Sequence, residues 1–227
     1  MTASHLDIER ARFNMIEQQI RPWEVLDQTV LDLLCVVKRE LFVPAAYRSM
    51  AFVDTEIPLN LGDFKSGETM LAPRVEARVL QELAVRNDDL VLEVGAGSGY
   101  MAALLAHRAR HVTTLEIIPE LHAFAEENLR RAHVANVKVV QGDGAQGFAL
   151  GHELDVIVLS GAVPFVPDAF LKQLKVGGRL LAFVGEAPVQ SAEIIKRTGP
   201  TSFSTVKLFE TNIKPLHNVA QHSHFRF

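Results

Sequence analysis

Apolar residues change their spacing near residue 90, and the change divides the chain. Before it they recur three and four apart. Ile8, Ala11, Met15 and Ile16 mark one face of a helix over residues 4–21, opened by a capping box of Ser4 and Asp7 and stopped by Pro22. Val30, Leu33, Leu34 and Val37 predict a second helix from Asp27 or Gln28 to Val37. Arg39–Pro44 reads as a turn into extended chain. Residues 50–65 have no helical period and carry Pro58 and Gly62, so they read as loop with short extended pieces. Gly67–Pro73 reads as a turn into a helix over 74–83, because proline suits the start of a helix.

From Leu90 onward, short apolar runs alternate with helical ones. Strands are expected at 90–94, 111–116, 137–141, 154–160 and 179–184, with helices at 100–109, 119–132 and 167–174. The run Leu154–Ser160 is continuous enough to be buried on both faces. Gly177-Gly178 predicts a turn, Val189–Lys196 a short helix, and Ser202–Phe209 a β-rich end. Strand alternating with helix predicts an α/β fold with a doubly wound, mostly parallel, Rossmann-like sheet and an N-terminal helical addition. The expected organisation is 1–83 as helices and a loop packed on the core, 84–216 as the core, and 217–227 as a polar, weakly ordered tail.

Composition narrows the class. At 227 residues, with 48% hydrophobic and 22% charged residues, the chain suits a globular domain with a sizeable core. A net charge of −4 gives no basis for a nucleic-acid or membrane-surface partner. The single Cys35 cannot form an internal disulfide, and the polar N-terminus lacks the apolar segment of a signal peptide. No apolar run approaches the roughly 20 residues that span a bilayer. The expected compartment is the cytoplasm; the oligomeric state is left open.

The candidate chemistry lies at strand ends. Leu90–Val94 runs into Gly95-Ala96-Gly97-Ser98-Gly99-Tyr100, a glycine turn that leads into an alanine-rich helix. Backbone N–H groups at such a helix start face a ligand. The glycines fall as G-x-G-x-G, whereas the dinucleotide fingerprint is G-x-G-x-x-G. Glu93, two residues before the first glycine, would crowd a pyrophosphate. The pattern suits a ligand with an ammonium group and a nucleoside, which points to S-adenosyl-L-methionine. Glu116 ends the next strand, where an acid accepts ribose hydroxyls. Gly142-Asp143-Gly144 follows the third strand, where the aspartate accepts from an adenine amine while the glycines admit close backbone approach. His217, His222 and His224 have metal-like proximity, but no cysteine or carboxylate joins them nearby, so no metal is expected.

The chain resembles the protein-L-isoaspartate O-methyltransferases over roughly Arg12 to Pro215. The matching pieces are Met15–Arg21, Arg39–Pro44, Asp54 with Ile57-Pro58-Leu59, Gly67-x-Thr69 with Pro73, Leu92–Tyr100, Gly142-Asp143-Gly144 and Gln173–Arg179. The resemblance implies the fold of S-adenosylmethionine-dependent methyltransferases. It also implies S-adenosyl-L-homocysteine as product and cofactor-binding roles for Glu93, Gly95, Gly97, Gly99, Glu116, Gly142, Asp143 and Gly144. Thr69 and Leu71 lie on the acceptor loop. The family's loop reads approximately Gly-Gln-Thr-Ile-Ser-Gln-Pro, with the serine hydroxyl close to the carboxylate that is methylated. Here Leu71 takes the serine's place and Ala72 the glutamine's, and the stretch before Gly67 is longer than usual.

The implied reaction methylates a carboxylate of a damaged aspartyl residue, so the partner is an isoaspartyl protein or peptide. Two alternatives follow from the Leu71 departure. One keeps the cofactor but takes a smaller, more apolar acceptor; the other is a non-catalytic S-adenosylmethionine-binding protein.

Overall fold

The computed structural model describes residues 5–220. Ser4 of the expected capping box, with His222 and His224, lies outside the described residues. Helix α1, His5–Met15, continues into a five-residue π-helical turn, Ile16–Ile20, and a 3-10 turn, Arg21–Trp23. Pro22 therefore does not stop the helix where expected: in the first turn of a 3-10 segment its missing N–H costs nothing. Helix α2, Gln28–Val36, starts at Asp27, whose carboxylate accepts the Thr29 N–H at 2.8 Å. The turn expected in Arg39–Pro44 is a 3-10 turn at Arg39–Leu41, but it leads into a second 3-10 turn at Ala45–Met50 and not into extended chain. Between these turns Phe42 and Val43 drop into the core, which straight chain would not allow. Strands β1, Ile57–Pro58, and β2, Thr69–Met70, pair antiparallel and close the intervening loop; α3, Pro73–Leu83, follows.

The alternating part runs β3 Leu90–Val94, α4 Tyr100–Ala106, β4 His111–Glu116, α5 Pro119–Arg131, β5 Val137–Gln141, β6 Leu154–Val163, α6 Asp168–Gln173, β7 Leu174–Glu186, β8 Val189–Arg197 and β9 Phe203–Thr211. One seven-stranded sheet forms in the order β5-β4-β3-β6-β7-β8-β9. The first five strands are mutually parallel, and β8 is antiparallel to both its neighbours.

Two expectations fail here. Val189–Lys196 is strand, not helix: Gly185, at φ +123°, pairs with Gln190 across the Ala187–Pro188 turn, and ladders on both sides of β8 override the helical composition of its residues. Gly177-Gly178 does not precede a strand but lies within β7. Leu174 pairs with Leu154 and Arg179 with Val156, so five residues of β7 match two steps of β6, and Gly177 at φ +87° absorbs the excess.

Both faces of the sheet are covered. Val91, Val156, Val158 and Phe183 pack with the N-terminal helices and α4, while Leu92, Ile157, Leu159 and Leu180 pack with Phe170 of α6. That double burial explains the unbroken apolar run in β6. Arg179 ties the N-terminal part to the sheet: its guanidinium donates to the Leu83 and Ala84 carbonyls at the end of α3 and pairs with Asp89 at 2.7 Å. The strand order reverses at β3, between β4 and β6, and opens a crevice beyond the strands' carboxyl ends. No helix among the described residues is long and apolar enough to cross a membrane.

Candidate active site

The crevice holds a cleft whose lining mixes polar and apolar side chains, as small-molecule sites do. Its floor is the tips of four strands: Gly95 after β3, Glu116 ending β4, Asp143 after β5, and Ser160 in β6. Two segments remote in sequence form its rim, residues 68–71 and 213–217.

The glycine turn is built for tight packing. Gly95, Gly97 and Gly99 all have positive φ, at 97°, 52° and 82°. Four of the turn's N–H groups, expected to face a ligand, are engaged within the protein. Those of Gly95 and Ala96 both donate to the Leu115 carbonyl at 2.9 Å, that of Gly97 to Glu116, and that of Gly99 to the Ala96 carbonyl. A phosphate would find these donors already engaged. Gly95 and Gly97 line the cleft, whereas Gly99 is pressed against α5, where an added Cβ would lie 3.2 Å from the Ala125 carbonyl oxygen.

Glu116, 5% exposed, accepts the Gly97 N–H at 2.8 Å on one oxygen and the Ile118 N–H at 3.0 Å on the other. These bonds fix the carboxylate at the cleft wall, with its remaining lone pairs available to donors in the cleft. Asp143 accepts the Ala145 N–H at 2.9 Å and the Asn218 side-chain amide at 2.8 Å. Gly142 and Gly144 flank it in the lining. A Cβ on Gly144 would meet Leu115 at 2.7 Å and Val94 at 2.8 Å, so the chain sits directly on the strand tips there. Glu116 and Asp143 share the cleft lining with Ile117 and Leu121, so acceptors for hydroxyl and amine donors stand in one lining with apolar side chains.

Glu93 occupies a different place. It is fully buried beneath the turn and takes hydroxyl bonds from Thr114 at 2.7 Å and Ser160 at 2.9 Å. Burial pushes its carboxyl up to about 8; the two hydroxyls oppose the shift, and nearby Glu76 and Glu116 add to it. At neutral pH it is thus mainly protonated. A small cavity joins Glu93, Glu76 and Ser160 to the Thr69–Leu71 loop.

Thr69 and Leu71 both line the main cleft. The Thr69 hydroxyl donates to Glu56 at 2.7 Å, which turns it from the opening. Leu71 is 8% exposed, and its carbonyl is held by a residue whose role the sequence did not reveal. Arg39, fully buried, donates to the Leu71 carbonyl at 2.7 Å and to the Ala51 carbonyl at 3.1 Å, forms an ion pair with Glu76, and stacks 5.1 Å from the Tyr100 ring centre. One guanidinium fork thus locks the acceptor loop to α3 and the preceding turns. The available signal was a cation next to the apolar run Leu41-Phe42-Val43.

The second rim segment was missed as well. Residues 214–216 run beside β6: the Ala162 N–H donates to the Lys214 carbonyl at 2.8 Å, and the Leu216 N–H to the Ala162 carbonyl at 2.9 Å. From this strap Lys214 donates to the Gly67 carbonyl, His217 meets Glu68 at 3.1 Å, and Asn218 reaches Asp143. The expected loose tail is thus engaged in its first residues. Among the described residues, no group of three or more His, Cys, Asp or Glu is placed to hold a metal ion.

A sequence model described as protein-L-isoaspartate(D-aspartate) O-methyltransferase matches residues 10–220. A protein-L-isoaspartate O-methyltransferase of Methanoculleus marisnigri is 39% identical over 191 residues, covering 84% of each chain. One of Staphylothermus marinus is 37% identical over 217 residues, covering 92% of this chain and 94% of its own. The fold is likewise that of a solved protein-L-isoaspartate O-methyltransferase, at TM-score 0.77 and 24% identity, covering 92% of this chain and 65% of that one.

Proposed function

The chain belongs to the protein-L-isoaspartate(D-aspartate) O-methyltransferase family, and from that premise we propose that it methylates the carboxylate of damaged aspartyl residues in proteins or peptides, with S-adenosyl-L-methionine as methyl donor. The carrying observation is that the family match spans residues 10–220, which include both the cleft and the acceptor loop. An acceptor of another class, or a non-catalytic role, is not favoured by a match of this extent.

The residues present fit the cofactor. A nucleoside needs acceptors for its ribose hydroxyls and its adenine amine, set in an apolar wall, and Glu116, Asp143, Ile117 and Leu121 are a set of that chemistry. We assign Glu116 to the ribose hydroxyls and Asp143 to the adenine amine. Gly95, Gly97, Gly142 and Gly144 are assigned to close backbone approach, and Glu93 and Gly99 to support of the turn from behind. When bound, the cofactor supplies an electrophilic methyl group on a sulfonium sulfur.

The chain's own task is placement. A carboxylate with a pKa near 4 is ionised at neutral pH, so no general base is required. Alignment of the acceptor oxygen can supply roughly 7–11 kcal/mol of barrier reduction. Leu71, Ile213 and Leu216 give the acceptor end an apolar lining that excludes water. On this reading residues 1–83 are the acceptor side and 84–216 the cofactor core, with His217 and Asn218 of the tail reaching back to the cleft. A cytoplasmic location belongs to the same proposal and is supported by the lone, exposed thiol of Cys35.

The test is incubation with methyl-labelled cofactor and either an isoaspartyl peptide or its ordinary aspartyl counterpart. Base-labile label is expected on the isoaspartyl peptide only. Label on neither, with S-adenosyl-L-homocysteine still bound in calorimetry, would contradict the assignment.

A further inference from the structure

Among the described residues, the charged side chains lining the cleft are three acids, Glu68, Glu116 and Asp143, and one ammonium, Lys214. Each acid has its own partner. Glu68 faces His217, Glu116 takes two backbone N–H groups, and Asp143 takes a backbone N–H and the Asn218 amide. Lys214 pairs with no carboxylate among the described residues; its ammonium donates to the neutral carbonyl oxygen of Gly67.

We infer that Lys214 binds the acceptor carboxylate and sets specificity for an anionic acceptor. The inference rests on the function proposed above and adds the group that recognises the substrate. A carboxylate in this cleft shares it with three acids and needs a cation to offset their repulsion. The Leu71 side chain, on the acceptor loop, has no donor to offer. Lys214 stands across from that loop, on the opposite rim. Its carbonyl accepts the Ala162 N–H and, two residues on, the Leu216 N–H donates to the Ala162 carbonyl, so the base of the side chain is positioned while the exposed ammonium can exchange partners. Leaving a neutral carbonyl for a carboxylate converts an ordinary hydrogen bond into a charge-assisted one, which is about twice as strong. The same swing gives up the tie to Gly67, while Arg39 and the β1–β2 pairing still hold the loop.

The test compares wild type, Lys214→Met and Lys214→Arg on an isoaspartyl peptide at low and high salt, with S-adenosyl-L-homocysteine affinity measured by calorimetry. Lys214→Met is expected to raise KM about tenfold or more, with kcat and product affinity within about twofold, since a charged hydrogen bond is lost from acceptor binding alone. Lys214→Arg should restore most of the KM. Wild-type KM should rise with salt while that of Lys214→Met stays flat or falls, because the variant lacks the attraction that salt weakens and keeps only the acids' repulsion. An unchanged KM in an active Lys214→Met enzyme overturns the inference and leaves the proposed function standing. So does a parallel rise in KM and product dissociation constant with the wild-type salt response, which would make Lys214 only a tie between strap and loop. A wild type inactive on the isoaspartyl peptide overturns both.

Discussion

The backbone N–H of Gly97 donates to a carboxylate oxygen of Glu116 at 2.8 Å, joining the glycine turn after β3 to the tip of β4. The other oxygen takes the Ile118 N–H at 3.0 Å. Glu116 therefore shapes the cleft and charges it at once, and two substitutions separate these duties. Glu116→Gln keeps a side-chain oxygen for one N–H but loses the charge. It should bind S-adenosyl-L-homocysteine about tenfold or more weakly, as a charged hydrogen bond is worth about 1.5–3 kcal/mol, and lose part of its stability because the second N–H then faces the amide NH2. Glu116→Ala should also lose about 1–3 kcal/mol of stability, because buried N–H donors go unmet. Calorimetry and thermal melts read the two effects; full product affinity in Glu116→Gln would remove the residue from the ribose site.

Asp143 divides its oxygens between the Ala145 N–H and Asn218, and only the second partner comes from the strap. Asp143→Ala is expected to weaken product binding about tenfold or more, through the same charged bond. Asn218→Ala frees one oxygen while leaving the turn intact, so product affinity should stay level or rise. A drop for Asn218→Ala matching that for Asp143→Ala would mean that the strap, not the aspartate, makes the contact.

What was legible in the sequence is what short spacing encodes. The glycine turn, Glu116 and Asp143 each follow a recognisable strand, and the alternation of β3 to β6 supplied their order and their common end of the sheet. Glu93 shows the limit. Its position at a strand tip was clear, but neighbours from β4 and β6, Thr114 and Ser160, decide that it is buried and neutral. Arg39 and Leu71 are 32 residues apart, and Asp143 and Asn218 are 75 apart. Side-chain bonds across such separations leave no periodicity to read. The strand β8 escaped for a related cause: its composition is locally helical, and only pairing with β7 and β9 makes it extended.

The buried carboxyls give stability a definite pH slope. Burial raises Glu93 from 4.5 to about 8 and Glu76 from 4.5 to about 7, the latter against the opposing pull of Arg39. Between about 4.5 and 8 the folded protein holds protons that the unfolded chain has released, so stability from these groups falls as pH rises through that window and levels off above it. Glu93→Gln removes one proton uptake and keeps a partner for the two hydroxyls. Its unfolding free energy should fall less steeply with pH and exceed wild type at about pH 8.5. Urea titrations at three pH values test this; parallel curves for the two proteins would show that Glu93 stays ionised.

Leu71→Ser restores the hydroxyl that the family carries at this position. Truncating a side chain only 8% exposed should cost about 2–3 kcal/mol of stability. The new hydroxyl should raise kcat/KM for an isoaspartyl peptide several-fold, since a neutral hydrogen bond is worth about 0.5–1.5 kcal/mol. An unchanged kcat/KM would mean that the acceptor carboxylate does not reach residue 71.

Arg39 joins stability and loop position in one side chain, and a double substitution can part them. Arg39→Met strands the Glu76 carboxyl in the core, where loss of one member of a buried pair costs about 3–5 kcal/mol. Replacing Glu76 by Leu in that background removes the stranded acid, and stability should return to within about 1–2 kcal/mol of wild type. Activity should not return with it, because the Leu71 carbonyl still lacks the donor that held it at 2.7 Å and the acceptor loop is free to shift. A stable double variant with low kcat and near-normal product affinity assigns Arg39 to positioning. Recovery of kcat alongside stability would instead reduce it to a partner for Glu76.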